Sequence, residues 1–244
     1  METKLSVNLN KVALLRNQRD LTYPSVTGIA ELVIGAGADG ITVHPRPDER
    51  HIRRSDVRDL GELLRARHAA IELNIEGYPS ADWLDLVLEM GPAQATLVPD
   101  SPEQRTSDHG WDLETDGNLL APIIRDLRAA GIRVSLFVDP GADAIPAVKA
   151  TGADRIELYT EPYARAFAAG DYAQILASYA ATAQAAADAG LGVNAGHDLN
   201  LDNLPAFGRA IPMLAEVSIG HAITADALRM GFPAAVRAYL AAIA

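Results

Sequence analysis

Three of the six histidines stand just past short β-rich runs: His44 in ITVHPRPDERH, His197 in GVNAGHDLN and His221 in EVSIGHAI. Carboxylates occupy comparable runs, Glu72 and Glu76 in IELNIEG and Glu157 in RIELYT. Imidazole titrates near neutrality, and a carboxylate withdrawn from water is pushed toward the same range. Together these groups suit a reaction built from successive proton transfers. One histidine at a strand end is an ordinary structural feature. Three of them, in register with inward carboxylates, make a candidate acid–base site.

Groups suited to anions lie beside them. Arg46 follows His44 by two residues, His51 opens the next turn, and Arg19 lies in LLRNQRDLTYPS after the first strand run. Arginine forks match phosphate or carboxylate oxygens. On the far side, Gly196-His197-Asp198 and Gly220-His221 offer backbone N–H groups near two strand ends. Gly196 would let the backbone come close to a ligand. Two anion sites around a His/Glu centre suit a substrate, or a pair of substrates, carrying two phosphates.

Such groups converge only if strands deliver them to one rim. Eight strand-like runs begin at KLSVNLN, GITVHP, AIELNIEG, QATLVPD, RVSLFVDP, RIELYTEP, LGVNAGHD and EVSIGHAI. Helical patterns separate them, over 26–36, 55–67, 80–90, 117–131, 142–151, 170–189, 201–210 and 224–242. Several of these helices end near a glycine, as in RAAGIRVSL, which fits a left-handed cap before a buried strand. Regular alternation predicts parallel βαβ units, and eight of them predict a closed (β/α)8 barrel of the TIM type with short additional helices. An open doubly wound sheet fits less well, because GAGADG at 35–40 sits at a helix end and reads as a cap rather than a nucleotide loop. The connection 100–116 follows the fourth strand on the active face of such a barrel and is a candidate substrate loop.

Strand alternation sends Glu72, Asn74 and Glu76 to the barrel interior, with Ser6, Asn8 and Asn10 doing the same in the first run. Buried carboxylates need partners or a wet cavity. The net charge of −11 and a pI near 4.9 argue against nucleic acid or an anionic membrane surface as partner. The absence of cysteine excludes thiolate chemistry and disulfides. METKLSVNLN enters a strand pattern at once, and no apolar run approaches membrane-spanning length, so a cytoplasmic protein is expected. Residues 1–244 read as a single catalytic domain.

The chain resembles the pyridoxine 5'-phosphate synthase family of deoxyxylulose-5-phosphate-dependent vitamin B6 biosynthesis. The carriers are SVNLNKVALLRNQR at 6–19, GADGITVHPRPDERHI at 37–52, LVPD at 97–100, VSLFVDP at 134–140, IELYTEPYA at 156–164, VNAGHDLN at 193–200 and SIGHAI at 218–223. The resemblance implies condensation of 3-amino-2-oxopropyl phosphate with 1-deoxy-D-xylulose 5-phosphate to pyridoxine 5'-phosphate, phosphate and water. It implies no metal or organic cofactor, and a homo-octamer. Carried over by position, His44 and Glu72 are the general bases, with Glu76 the alternative to Glu72. His197 is the general acid, and Glu157 stabilises transition-state charge. Asn8, Arg19, Asp198, Gly220 and His221 hold the aminoketone phosphate; Asn10, Lys11, Arg46, His51 and Thr106 hold the deoxyxylulose phosphate. The family often has Asp-His where this chain has Asn10-Lys11, and Gly where Asp198 stands.

Other chemistries fit the same scaffold. A Schiff-base keto-phosphate aldolase would use Lys11, which of Lys4, Lys11 and Lys149 alone lies near a C-terminal strand end. A metal-dependent hydrolase would take His44, Glu72, His197 and His221 as ligands, although their spacing matches no local ligand motif. A barrel without chemistry could serve as a phosphate-ligand sensor.

Overall fold

The computed structural model describes residues 2–101, 104 and 106–244. Eight parallel strands pair in sequence order, and the last returns to the first to close a barrel. They are β1 (Lys4–Asn8), β2 (Gly40–Val43), β3 (Glu72–Gly77), β4 (Gln94–Leu97), β5 (Arg133–Val138), β6 (Arg155–Leu158), β7 (Gly192–Ala195) and β8 (Leu214–Ile219). Helices surround them: α1 (Asn10–Arg16), α2 (Val26–Gly35), α3 (Arg54–Arg67), α4 (Ala81–Met90), α5 (Leu113–Ala129), α6 (Ile145–Thr151), α7 (Glu161–Ala168), α8 (Ala173–Asp188), α9 (Leu204–Ala210), α10 (His221–Met230) and α11 (Phe232–Ile243). This is the (β/α)8 barrel that the alternation predicts. No helix among the described residues is long and apolar enough to cross a membrane.

The helix pattern departs from expectation at three places. Asn10 reads as the end of the first strand, yet it begins α1, whose Val12, Ala13 and Arg16 form the buried face. TEP reads as strand, yet Thr160 precedes α7 and Pro162 lies in its first turn, where a missing N–H costs no helical bond. The expected helix 224–242 breaks at Gly231, whose φ of 80° only glycine adopts cheaply, giving α10 and α11.

Apolar strand residues such as Leu5, Val7, Ile41, Ile75, Leu136 and Val217 are fully buried between sheet and helices. Each such side chain contributes about 1.5–3 kcal/mol of burial free energy. Their alternate neighbours fill the barrel with polar groups instead. At its N-terminal end Glu72 accepts from Lys4 Nζ at 2.6 Å and from Arg133, which also donates to Gln94 at 2.9 Å. One layer further in, Arg155 donates to Asn194 at 3.0 Å and lies 3.6 Å from Glu216. The lower barrel is an ion network.

Glu72 is therefore inside the barrel, as strand alternation requires, but at the end opposite the catalytic rim. Lys4 and Arg133 hold its carboxyl down to about 2, overcoming a partial burial that acts the other way. A depressed carboxylate contributes stability above its unfolded value near 4.5 and loses it as pH falls through about 2. Glu72→Gln should destabilise the protein at pH 7 by about 1–3 kcal/mol, discounted for partial exposure, or roughly 2–10 °C in Tm. Thermal melts from pH 7 to pH 2 test this: the gap between variant and parent should shrink below pH 4.5. A gap that stays constant to pH 2 would show that the ion pairs are not its source.

Candidate active site

The C-terminal ends of the strands surround a cavity of about 380 Å³. His44, Glu76, Glu157 and His197 all line it, and so do Asn8, Asn10, Lys11, Arg46, His51, Thr106, Asp198, Gly220 and His221. Two expected residues are missing. Glu72 lies about 13 Å back along β3, at 3.3 Å per residue. Arg19 occupies the exposed turn after α1, where its N–H donates to the Arg16 carbonyl at 3.2 Å. Glu76 holds the place in the pocket assigned to Glu72 by position.

His44 follows β2 directly. Its backbone N–H donates to Asn10 Oδ1 at 2.9 Å, so the Asn10 amide oxygen fixes the strand end as well as facing the pocket. The His44 ring lies between two carboxylates, Nδ1 3.8 Å from Glu76 and Nε2 3.3 Å from Asp100. Glu76 in turn accepts from Asn8 Nδ2 at 3.3 Å, while Asn8 Oδ1 accepts from the Asn10 N–H at 3.0 Å. Trp83 Nε1 donates to the Glu76 carbonyl at 3.0 Å and pins β3 from outside the barrel.

His197 follows β7. Its Nε2 lies 2.9 Å from Thr106 Oγ1, on the connection after β4. Its ring packs against Phe137 and Tyr159, with centroids 5.9 and 6.2 Å away. Of the connection 100–116, residues 102, 103 and 105 lie outside the described residues. Gly196 meets protein rather than open pocket: a Cβ there would fall 2.0 Å from the Ser218 carbonyl oxygen. Its glycine is required by the approach of β7 to β8, which corrects the expectation of a ligand contact. Gly220 packs similarly against the Asn8 side chain.

Burial sets the protonation states. Glu76 is raised well above the carboxylate range by burial and by the charges of Glu157, Asp100 and Glu216. Glu157 is raised to about 8 by burial and by Glu216, and its Oε2 has no hydrogen-bond partner among the described residues. His44 is lowered by burial and then by Arg46, His51 and His197. His197 is lowered chiefly by burial, against the opposing pull of Asp198 and Asp100. His51 falls to about 4 through burial, Arg46 and Lys11, and its Nδ1 accepts from the Ile52 N–H at 2.9 Å. Burial thus favours the neutral imidazole at His44 and His197 and the protonated carboxyl at Glu76 and Glu157.

The groups suited to anions fall on two sides. Lys11, at the start of α1, gathers with Arg46 and His51 on the loop after β2. That loop is braced by a buried Arg16–Asp56 ion pair, with Arg16 and Asn17 both donating to the His51 carbonyl at 3.3 and 2.8 Å. Across the mouth, Gly220, His221 and Ala222 present the N-terminus of α10, where free N–H groups and the helix dipole favour negative charge.

Sequence reasoning missed Asp100, Arg16 and Ser107. Asp100 carried a visible signal, for LVPD places it three residues beyond β4 on the rim that bears His44. Arg16 carried none, because helix α1 itself was not apparent.

A family model described as "Pyridoxal phosphate biosynthesis protein PdxJ" matches residues 5–244. Among curated relatives, a pyridoxine 5'-phosphate synthase of Brucella abortus (strain S19) is 54% identical, covering 100% of both chains. One from Albidiferax ferrireducens is 56% identical, covering 100% of this chain and 98% of the relative. Solved structures share the barrel at low identity. The YdjI aldolase from Escherichia coli K12 aligns with a TM-score of 0.63 at 10% identity, over 99% of this chain and 89% of that one. A phosphoribosyl anthranilate isomerase aligns with a TM-score of 0.59 at 13% identity, over 99% and 98%. Those two likenesses carry the fold and nothing more. The full-length match and the relatives above half identity carry more: the chain belongs to the pyridoxal phosphate biosynthesis protein PdxJ family.

Proposed function

We propose that the protein is a pyridoxine 5'-phosphate synthase that joins 3-amino-2-oxopropyl phosphate to 1-deoxy-D-xylulose 5-phosphate, releasing phosphate and water. The carrying observation is the pocket itself: His44, His197 and the buried carboxyl groups of Glu76 and Glu157 share one cavity with Lys11, Arg46 and His51 and with the N-terminus of α10. Amine–ketone condensation, dehydration and ring closure are proton transfers, and each needs an acid or base already at hand. Fixing both phosphates aligns amine and carbonyl, which makes a bimolecular step effectively intramolecular.

In this reading Lys11, Arg46, His51 and Thr106 hold the deoxyxylulose phosphate. The N-terminus of α10 with Gly220 and His221 holds the aminoketone phosphate, together with Asn8 and the Asp198 backbone. His44 and Glu76 exchange protons with the substrates. His197 acts as the acid, and a phosphate dianion nearby raises its affinity for the proton that burial otherwise withholds. Glu157 supplies the unpaired carboxyl that meets positive charge as it develops. One domain spanning 1–244, a cytoplasmic location, a homo-octamer and the absence of any metal or organic cofactor belong to the same proposal.

Purified protein should form pyridoxine 5'-phosphate from the two phosphates, with or without chelator; no product despite bound substrates would overturn the proposal. Glu76→Gln should lower kcat by about 100-fold or more, whereas Glu72→Gln should stay within about threefold of the parent. The reverse ranking would restore Glu72 as the base. Lys11 lines the pocket, so borohydride with either keto-phosphate is a second check. Mass spectrometry should find no adduct at Lys11, and an adduct there would favour a Schiff-base aldolase.

Glu157 gives a prediction of opposite sign to Glu72. Its folded value of about 8 lies above the unfolded 4.5, so ionisation favours the unfolded chain as pH rises through that window. Glu157→Gln should therefore melt higher than the parent at pH 9, with little difference at pH 4.5, while losing kcat. Melting curves at both pH values check it. A parent more stable than the variant at pH 9 would contradict the raised carboxyl.

A further inference from the structure

The His44 ring has two sides, and they face different spaces. Nδ1 lies 3.8 Å from Glu76, which lines the catalytic cavity. Nε2 lies 3.3 Å from Asp100, which does not line that cavity but belongs to the wall of a neighbouring one of about 580 Å³, shared with Pro47, Tyr78 and Trp83. Asp100 thus meets the imidazole at the nitrogen opposite Glu76 and is itself absent from the lining of the catalytic cavity.

Asp100 is firmly held there. Arg46 Nη2 donates to its Oδ2 at 2.6 Å, and Ser107 Oγ donates to the same oxygen at 3.0 Å. Both Asp100 and His44 are buried, so neither geometry is set by solvent. A neutral imidazole carries one proton, and the partner of one nitrogen decides which nitrogen has it. Asp100 Oδ2 is 3.3 Å from Nε2. Such contacts commonly tighten when substrate fills an empty site.

We propose that Asp100 is the positioning residue for His44: it accepts from Nε2–H, fixes that tautomer, and leaves the Nδ1 lone pair facing the pocket as the base. When Nδ1 takes a proton from substrate, the imidazolium so formed lies beside a carboxylate already oriented by Arg46 and Ser107. The inference rests on the proposed role of His44 as base. Asp100 also grips Arg46, a proposed phosphate ligand, so the alternative is that Asp100 acts on substrate binding alone.

The test uses the full chain and the near-isosteric Asp100→Asn. Nitrogen NMR of histidine-labelled protein, with His44→Gln to assign the signal, should show His44 as the Nε2–H tautomer in the parent and a shifted equilibrium in Asp100→Asn. Steady-state rates should show kcat reduced about 10- to 100-fold with KM for the ketose phosphate changed less than about threefold, and the acidic limb of the kcat profile, which reports the base, displaced. In a His44→Gln background the same substitution should cost less than about twofold. Ser107→Ala, which loosens Asp100 while leaving its charge, should move kcat in the same direction by a smaller factor; Asp100→Glu should recover part of the loss. Unchanged His44 signals in Asp100→Asn, an equal loss in both backgrounds, or an effect confined to KM would each overturn the proposal. Because the NMR arm needs no turnover, it stands even if the parent makes no pyridoxine phosphate, and the two failures remain separate.

Discussion

Closing eight strands around charged side chains obliges every interior group to find its partner within the ring. The barrel meets that demand unevenly along its axis. Lys4, Arg133 and Arg155 all lie toward the N-terminal ends of their strands, where they neutralise Glu72 and Glu216. No lysine or arginine pairs with Glu76 or Glu157 at the other end among the described residues. The same residue type on the same face of one strand is consequently ionised at one end and protonated at the other. Glu72 and Glu76 differ by four positions and by their company.

That asymmetry shapes the chemistry at the rim. Leaving a buried carboxyl without a cation costs stability, and the cost appears as an elevated proton affinity rather than as a buried charge. Neighbouring imidazoles respond in the opposite direction, because burial also disfavours their charged form. The result is a set of carboxyl groups and imidazoles whose proton affinities are shifted toward each other, carboxyls upward and imidazoles downward, by the same burial. The cations Lys11, on α1, and Arg46, paired with Asp100, line the mouth of the same pocket without pairing with Glu76 or Glu157 among the described residues.

Much of this arrangement was legible in the residues. The Ala-Gly punctuation and eight β-rich runs carry the barrel, and strand alternation places Glu72, Glu76 and Glu157 inside it. What alternation cannot do is choose between positions on the same face, since residues two or four apart point the same way at different depths. Depth depends on where each strand enters the ring, and that register is set by pairing with distant segments, such as Gly40 beside Glu72. Arg19 was misplaced for a related reason. The helix α1 occupies chain expected to be loop, and carries the following residues away from the pocket. Gly196 was misread because its neighbour, the Ser218 carbonyl, comes from the adjacent strand.

Side chains just past strand ends would be loosely held if nothing else gripped them, and here the backbone near the pocket's titratable groups is clamped by another element. Asn10 on α1 fixes the His44 N–H, and Trp83 on α4 fixes the Glu76 carbonyl. Gly77 makes the second clamp possible, since a Cβ there would fall 2.2 Å from Trp83 Nε1. Gly196 lets β7 press onto β8 directly before His197. These contacts lie outside the proton-transfer set, yet they fix its distances, and a displacement of about 1 Å in such a site costs on the order of 100-fold in rate. The glycines and the tryptophan are thus as much a part of the acid–base geometry as the groups that titrate.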